Sequence, residues 1–218
     1  MSLRRILVPA EMTGRELARR PAALALLTAL PLAFYESSRN HSQHAAVTGG
    51  VAMAFSLSGA SIFASMTARR VDRRLTLAGY RPYELLLGRL VLLELFGAVI
   101  AALFSVVMAL GSDPAHAWQM AAGVELVAVV GVPFGLAVGV LAPHELEGVL
   151  VLVGVVGIQL TLEPTQALAK ALPFWGGQRL IRHALDGSVT VSAAVPAAFA
   201  YAAALLALAA IASVRSPR

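Results

Sequence analysis

Apolar residues run along this chain in long blocks that polar and charged residues break only briefly. Blocks of that length predict helices that cross a membrane. Six qualify: 22–35, 45–68, 85–110, 117–141, 149–162 and 189–214. The first and fifth hold 14 residues each, about 21 Å of helix against a hydrocarbon core of ~30 Å. Arg19 and Arg20 lie just ahead of the first and can lengthen it by stretching their stems toward water. Residues 1–21 are polar and basic, with Thr13 and Glu16 at capping-box spacing and Glu11–Arg15 and Glu16–Arg20 as i,i+4 pairs. They predict an amphipathic surface helix ending near Pro21. A cleaved signal peptide with 22–34 as its core is disfavoured by the long charged region and by Leu32-Ala33, a poor cleavage site.

The intervals are equally patterned. Residues 36–44 read as a polar loop, Gly111-Ser112-Asp113-Pro114 as a tight turn and 142–148 as a short connector. Trp118 sits where an interfacial ring is expected. Segment 163–187 is not a span. Leu168 and Leu172, then Leu180, Ile181, Ala184 and Leu185, give two amphipathic pieces broken at Pro173 and Gly176-Gly177. Phe174 and Trp175 read as interfacial anchors between them.

Composition turns this pattern into a fold class. Hydrophobic residues make up 58% of the chain and charged residues 13%, about half the charge usual in a soluble domain. The expectation is an all-α integral membrane protein of six transmembrane helices, 22–214, with a short tail at 215–218. The net charge of +5 does not point to nucleic acid, because the 16 Arg and one Lys cluster beside apolar blocks, where they set topology and meet anionic lipid. Five basic residues lie in 1–21, six in 69–89 and two in 215–218, thirteen in all. Only Arg39, Lys170, Arg179 and Arg182 fall on the opposite side. That bias predicts cytoplasmic amino and carboxyl ends. Cysteine is absent, which excludes disulfides, thiolate metal sites and thiol catalysis on this chain.

Enzyme motifs fail residue by residue. Lys170 follows Ala169 rather than the Gly of a phosphate-binding loop, and His144-Glu145 lacks a second His at Gly148. Ser58-Gly59-Ala60-Ser61 lacks a following Gly, and Asp186-Gly187 stands alone. The remaining polar chemistry lies inside apolar helices. Ser58, Ser61 and Ser65 share one helical face and suit either helix packing or a wetted transport path. Gly131, Gly135 and Gly139 repeat every four residues, a ridge that lets another helix approach closely. Glu94 lies near enough to Arg89 to reach the interface. Glu125 lies deeper, and an intramembrane acid is either a structural hydrogen-bonding group or a functional site.

Residues 69–90, RRVDRRLTLAGYRPYELLLGRL, carry the densest charge: six Arg among 22 residues, against Asp72 and Glu84. They predict a short amphipathic helix through Leu75, Leu77 and Tyr80, a break at Gly79 and Pro82, and a new helix from Tyr83-Glu84-Leu85. By charge alone this is a basic loop anchoring two spans. Its order, a basic run, a Leu-rich turn, Gly, Pro and then ELLLGRL entering a membrane helix, resembles the connector of the ABC type-2 exporter permeases. The amphipathic leading segment and the pieces at 163–187 are similar in position to that family's helices. The resemblance implies a permease subunit of a bacterial cytoplasmic membrane, with 69–84 as a coupling helix docked on a cytosolic ATPase through Leu75, Leu77, Gly79, Tyr80, Pro82 and Glu84. It further implies two ATPase copies, a second permease subunit of the same or another kind, and ATP and magnesium on the partner, with no cofactor and no enzymatic activity on this chain. Ser58, Ser61, Ser65 and Glu125 are the pathway candidates. A secondary transporter or channel with Glu125 as proton or ion site is the alternative, although the halves show no internal repeat of the kind such folds often carry.

Overall fold

The computed structural model describes residues 3–19, 21–39, 45–163, 165–187 and 190–215. These form eight α-helices: α1 (Leu3–Ala18), α2 (Pro21–Arg39), α3 (Ala45–Leu77), α4 (Pro82–Ser112), α5 (Ala117–Leu141), α6 (Glu145–Thr161), α7 (Trp175–Asp186) and α8 (Ala194–Arg215), with a 3-10 turn at Leu168–Ala171. The described residues contain no strand. Helices α3 (over Ala45–Arg69), α4, α5 and α8 are long and apolar enough to cross a membrane. This is a helical membrane protein.

Helix α5 is the axis. In its most apolar stretch 78% is buried, against 33% in α4 and 22% in α8. It packs on α3, α4, α7 and α8. The outward side of α4 shows why the difference is tolerable: Val91, Leu95, Val99, Leu103, Val106 and Leu110 are all exposed at three- to four-residue spacing, a stripe suited to hydrocarbon rather than water.

The tightest joint is α3 on α5. A Cβ added at Gly135 would lie 2.6 Å from Ser61 Cβ, and one at Gly139 would lie 2.7 Å from Ser65 Cβ and 3.1 Å from Ile62 Cα. The glycine ridge and the serine face are therefore the two halves of one contact. Ser58 Oγ donates to Gly131 O at 2.9 Å across it. Ser61 Oγ turns back to Leu57 O at 2.8 Å, satisfying itself within α3.

The other helices fit around that pair. Tyr35, fully buried, ties α2 to the end of α4 through a 2.7 Å hydrogen bond with Ser112 Oγ and an edge-on ring contact with Phe104. Helix α6 begins beside Ile62 and Met66, which flank Gly148, and ends where Gln159 meets Gln178 of α7. Helix α1 lies along the start of α4, its Pro9 and Ala10 against Gly88.

Several sequence expectations change. Thr13 is not a cap: α1 already runs through it, and its hydroxyl donates to Pro9 O at 2.9 Å. The Glu11–Arg15 pair forms, while Arg20 lies outside the described residues. The expected span 22–35 extends to Arg39, which turns the first part of the 36–44 loop into helix, and 40–44 lie outside the described residues. The helix expected at 85 begins at Pro82, and the last helix starts at Ala194 rather than 189. Phe174 and Trp175 are not interfacial anchors, for both are buried, and Phe174 meets Phe134 edge-on. Gly176-Gly177 does not break a helix either. The break is at Pro173, and the two glycines admit α8 on one side and α5 on the other: a Cβ at Gly176 would lie 2.4 Å from Ala194 O, and one at Gly177 2.4 Å from Val127 Cγ2. Trp118 is exposed at the start of α5.

A Gly135→Leu substitution is expected to cost at least ~3 kcal/mol by overpacking, read as loss of the monodisperse peak on size exclusion and a lower unfolding midpoint. Gly157→Leu, where an added Cβ has nothing within 4 Å, is the comparison and is expected to leave both unchanged.

Candidate functional site

The polar chemistry collects at the arginine-rich end of α3. Residues 60–78 contain no Gly or Pro, so α3 has no reason to stop where its apolar part does. Its 33 residues make about 50 Å of helix, beyond a hydrocarbon core of ~30 Å. The connector 69–84 is therefore not a separate helix. Its first nine residues continue α3, and the break falls at Gly79. There Gly79 N donates to Thr76 O and Tyr80 N to Leu75 O, both at 3.0 Å, with Gly79 at φ +89°. This is a Schellman ending, which requires a left-handed residue at the position glycine occupies. Pro82 then opens α4, and Arg81 N donates to Glu84 Oε2 at 2.9 Å as an N-terminal cap.

Two arginines lock this end to the core. Arg69 reaches the last carbonyls of α5: its Nη2 donates to Gly139 O at 2.8 Å and to Ala142 O, and its Nη1 to Pro143 O at 3.0 Å. Those carbonyls have no partner within their own helix, and a cation there also meets the negative end of the helix dipole. Arg89 of α4 pairs with Asp72 of α3, both buried. Neither partner can be lost cheaply, because each leaves a buried charge behind. Thr76 Oγ1 donates to Asp72 O at 2.8 Å one turn further on. A cavity of about 480 Å³ opens between α3, α4, α5 and α8, with Ser65, Arg69, Asp72, Arg73, Arg89 and Ser213 on its wall.

The six connector residues take different places. Leu77 is 84% exposed at the tip, Gly79 is exposed beside it, and Leu75, Tyr80 and Pro82 are half-buried. Glu84 is buried, committed to the cap and 3.8 Å from Arg5, so it belongs to the support rather than the presented surface. Of the three pathway serines, Ser58 and Ser61 are sealed in the α3–α5 contact, and only Ser65 borders the cavity. A second, apolar groove of about 450 Å³ lies between α1, α2 and α3, lined by Leu17, Leu27, Leu30, Phe55 and Phe63 among others. Glu94 and Glu125, both half-buried, come within electrostatic reach of each other across α4 and α5.

Sequence reasoning misses the two locks. Arg69 and its carbonyl partners are more than 69 positions apart, and nothing local marks that arginine from its neighbours. Asp72 with Arg89 carries more signal: a lone acid amid arginines, and a lone arginine inside a Leu-rich helix start, are both costly unless paired.

Comparison with protein-family models finds no match, and comparison with curated proteins finds none.

Removing one partner of the buried pair is expected to be severe. Asp72→Ala should cost ~3–5 kcal/mol in denaturant unfolding, while the double variant Asp72→Leu/Arg89→Met recovers most of that loss. Additive losses would mean that the two side chains do not act as a pair.

Proposed function

We propose that this chain is the membrane subunit of an ATP-driven exporter of the ABC type-2 kind, working with separate cytosolic ATPase subunits. The observation that carries the reading is the continuity of α3. One unbroken helix links the serine face in the core to Leu77, which stands 84% exposed at the tip. An exposed leucine at the tip of a charged projection can serve as an anchor for a partner. Arg69 and the Asp72–Arg89 pair tie the base of that projection to α5 and α4. A push on the tip would therefore move three core helices together rather than bend a loop.

Six crossings complete the reading. Helices α2 and α6 fall outside the four clear spans, yet α6 runs from the level of Met66 to that of Gln178, which supports a full traverse. With the arginine-rich end in the cytoplasm, a cysteine replacing Thr76 is expected to resist an impermeant thiol reagent applied outside, and one replacing the exposed Leu168 to react. Two such subunits would form the path. The substrate enters from the membrane or the cytoplasm and leaves on the α7 side.

A second reading has its own observation: the Glu94–Glu125 approach inside the membrane, which suits a proton- or ion-coupled transporter without an ATPase. Pull-down from detergent extracts of the native host separates the two. Wild type is expected to recover an ATPase. Leu77→Asp, with every arginine kept, should insert normally and recover about thirtyfold less, the equivalent of ~2 kcal/mol at a buried anchor. Arg73→Gln should recover nearly as much as wild type, since peripheral charges act mainly on encounter. Recovery of no ATPase by wild type, or equal recovery with Leu77→Asp, would favour the carboxylate reading.

A further inference from the structure

The apolar groove between α1, α2 and α3 plays no part in the exporter reading, and its chemistry does not depend on it. Its volume of about 450 Å³ is within the range of small-molecule sites. On α3 most of its lining is small: Ser56, Gly59, Ala60 and Ala64. Small residues on a membrane helix ordinarily admit a second helix, as Gly139 and Ser65 do where α5 meets α3. Here nothing enters. A Cβ added at Gly59 would meet one atom within 4 Å, Leu152 Cδ2 at 3.7 Å. The polar groups of the groove lie at one end. Thr67 comes two residues before Arg69, where the apolar stretch of α3 stops. Thr13 and Glu16 of α1 share that level, because Gly14 between them lies against Leu92, less than one turn past the Arg89 that pairs with Asp72. The other end is apolar. Tyr35 of α2 lies against Gly49 of α3, so Leu30, five residues before Tyr35, falls near Phe55, six after Gly49. From Thr67 to Phe55 is about 18 Å of helix, close to one leaflet of a ~30 Å hydrocarbon core.

We propose that this groove binds a single-chain amphiphile with an uncharged, hydroxyl-bearing head, its acyl chain along α3 and its head at Thr13, Glu16 and Thr67. A void of this volume within hydrocarbon forfeits dispersion contacts along its whole lining. Water does not fill it, because polar partners are confined to one end. An alkyl chain does, and the volume holds one chain rather than two. The head follows from charge. Among the described residues Glu16 is the only charged side chain on the lining, which disfavours an anionic head. Arg15 and Arg19 stand exposed beside it on α1, which disfavours a cationic one. Glu16 already has a partner, and the remaining lone pairs of a carboxylate accept a further hydroxyl. The same hydroxyl exchanges hydrogen bonds with threonine. A monoacylglycerol has this chemistry, and the leaflet at the arginine-rich end delivers it with head and chain already in the right order.

The test is photolabelling of the full chain in phosphatidylcholine nanodiscs, since a detergent is itself a single-chain amphiphile. The probe is monopalmitoylglycerol with a diazirine near the chain end, and labelled peptides are mapped by mass spectrometry. Labelling is expected to saturate and to fall on the peptides that carry Leu27, Leu30 and Phe55. Excess unlabelled monopalmitoylglycerol should abolish it, whereas dipalmitoylglycerol, palmitate and hexadecylamine should not. Ala60→Phe, which sets a ring on the lining at a half-buried position, should reduce it about tenfold at an unchanged unfolding midpoint. Ala64→Leu, a milder filling made alongside, should reduce it in the same direction. Leu103→Phe on the exposed stripe of α4 should leave it unaltered. Label that never saturates and spreads over that stripe would mean contact with bulk lipid only. No label at all would mean that something else, such as a second copy of the chain, covers the groove. Either result overturns the proposal, as would equal displacement by dipalmitoylglycerol or by a charged amphiphile, or full labelling of both filled variants. No ATPase enters the experiment, so its failure and that of the exporter reading are separately visible.

Discussion

Everything in this protein hangs on how closely two backbones approach. In lipid no hydrophobic force pulls helices together, so association depends on shape and on polar groups satisfied between helices. Gly131, Gly135 and Gly139 remove the side chains that would hold α3 away from α5, and Ser58, Ser61 and Ser65 supply a face small enough to enter the space. Polar hydroxyls do no harm there, because Ser58 and Ser61 find carbonyls within hydrogen-bond distance. The contact sets where α5 stands, and α4, α7 and α8 then pack on α5.

The same joint positions the polar end. Ser65 and Gly139 are in contact, and one turn beyond Ser65 the side chain of Arg69 reaches the carbonyls that end α5. Had the helices stood farther apart, that arginine would not span the gap and the carbonyls of Gly139 and Ala142 would lose its hydrogen bonds. Asp72 comes next on the same side of α3 and meets Arg89. Glycine spacing in the membrane thus determines the charge arrangement at its edge, and a stiff rather than loose projection carries Leu77.

Helix existence is legible wherever the signal is local. The block 117–141 matches α5 residue for residue, because a long apolar run, broken only by Gln119 and Glu125 and bounded by a turn and Pro143, admits few alternatives. The Gly79 stop is equally readable, since only a residue at ease with positive φ fits a Schellman ending. The continuation of α3 through its arginines is harder to see, because a change of composition there mimics a change of structure although the stretch contains no breaker. Phe174, Trp175 and Gly176-Gly177 mislead for another reason. Their burial is decided by α5 and α8, some 20 to 50 residues away in sequence, and rings that face a partner look the same in sequence as rings that face a membrane surface. Of the site, its general position is legible from charge, while the partners of Arg69 are not.

The most direct test of the α3–α5 approach uses the absence of native cysteine. A Cβ at Gly131 would lie 3.6 Å from Leu57 Cβ, close to the ~3.8 Å typical of a disulfide. Mild oxidation of a Leu57→Cys/Gly131→Cys chain in its membrane, followed by mass spectrometry of the peptides, should recover the two segments linked in nearly every molecule. The Leu57→Cys/Gly157→Cys chain should give none. Two separately alkylated cysteines in the first chain would contradict the approach, and with it the placement of Arg69, Asp72 and the projecting tip.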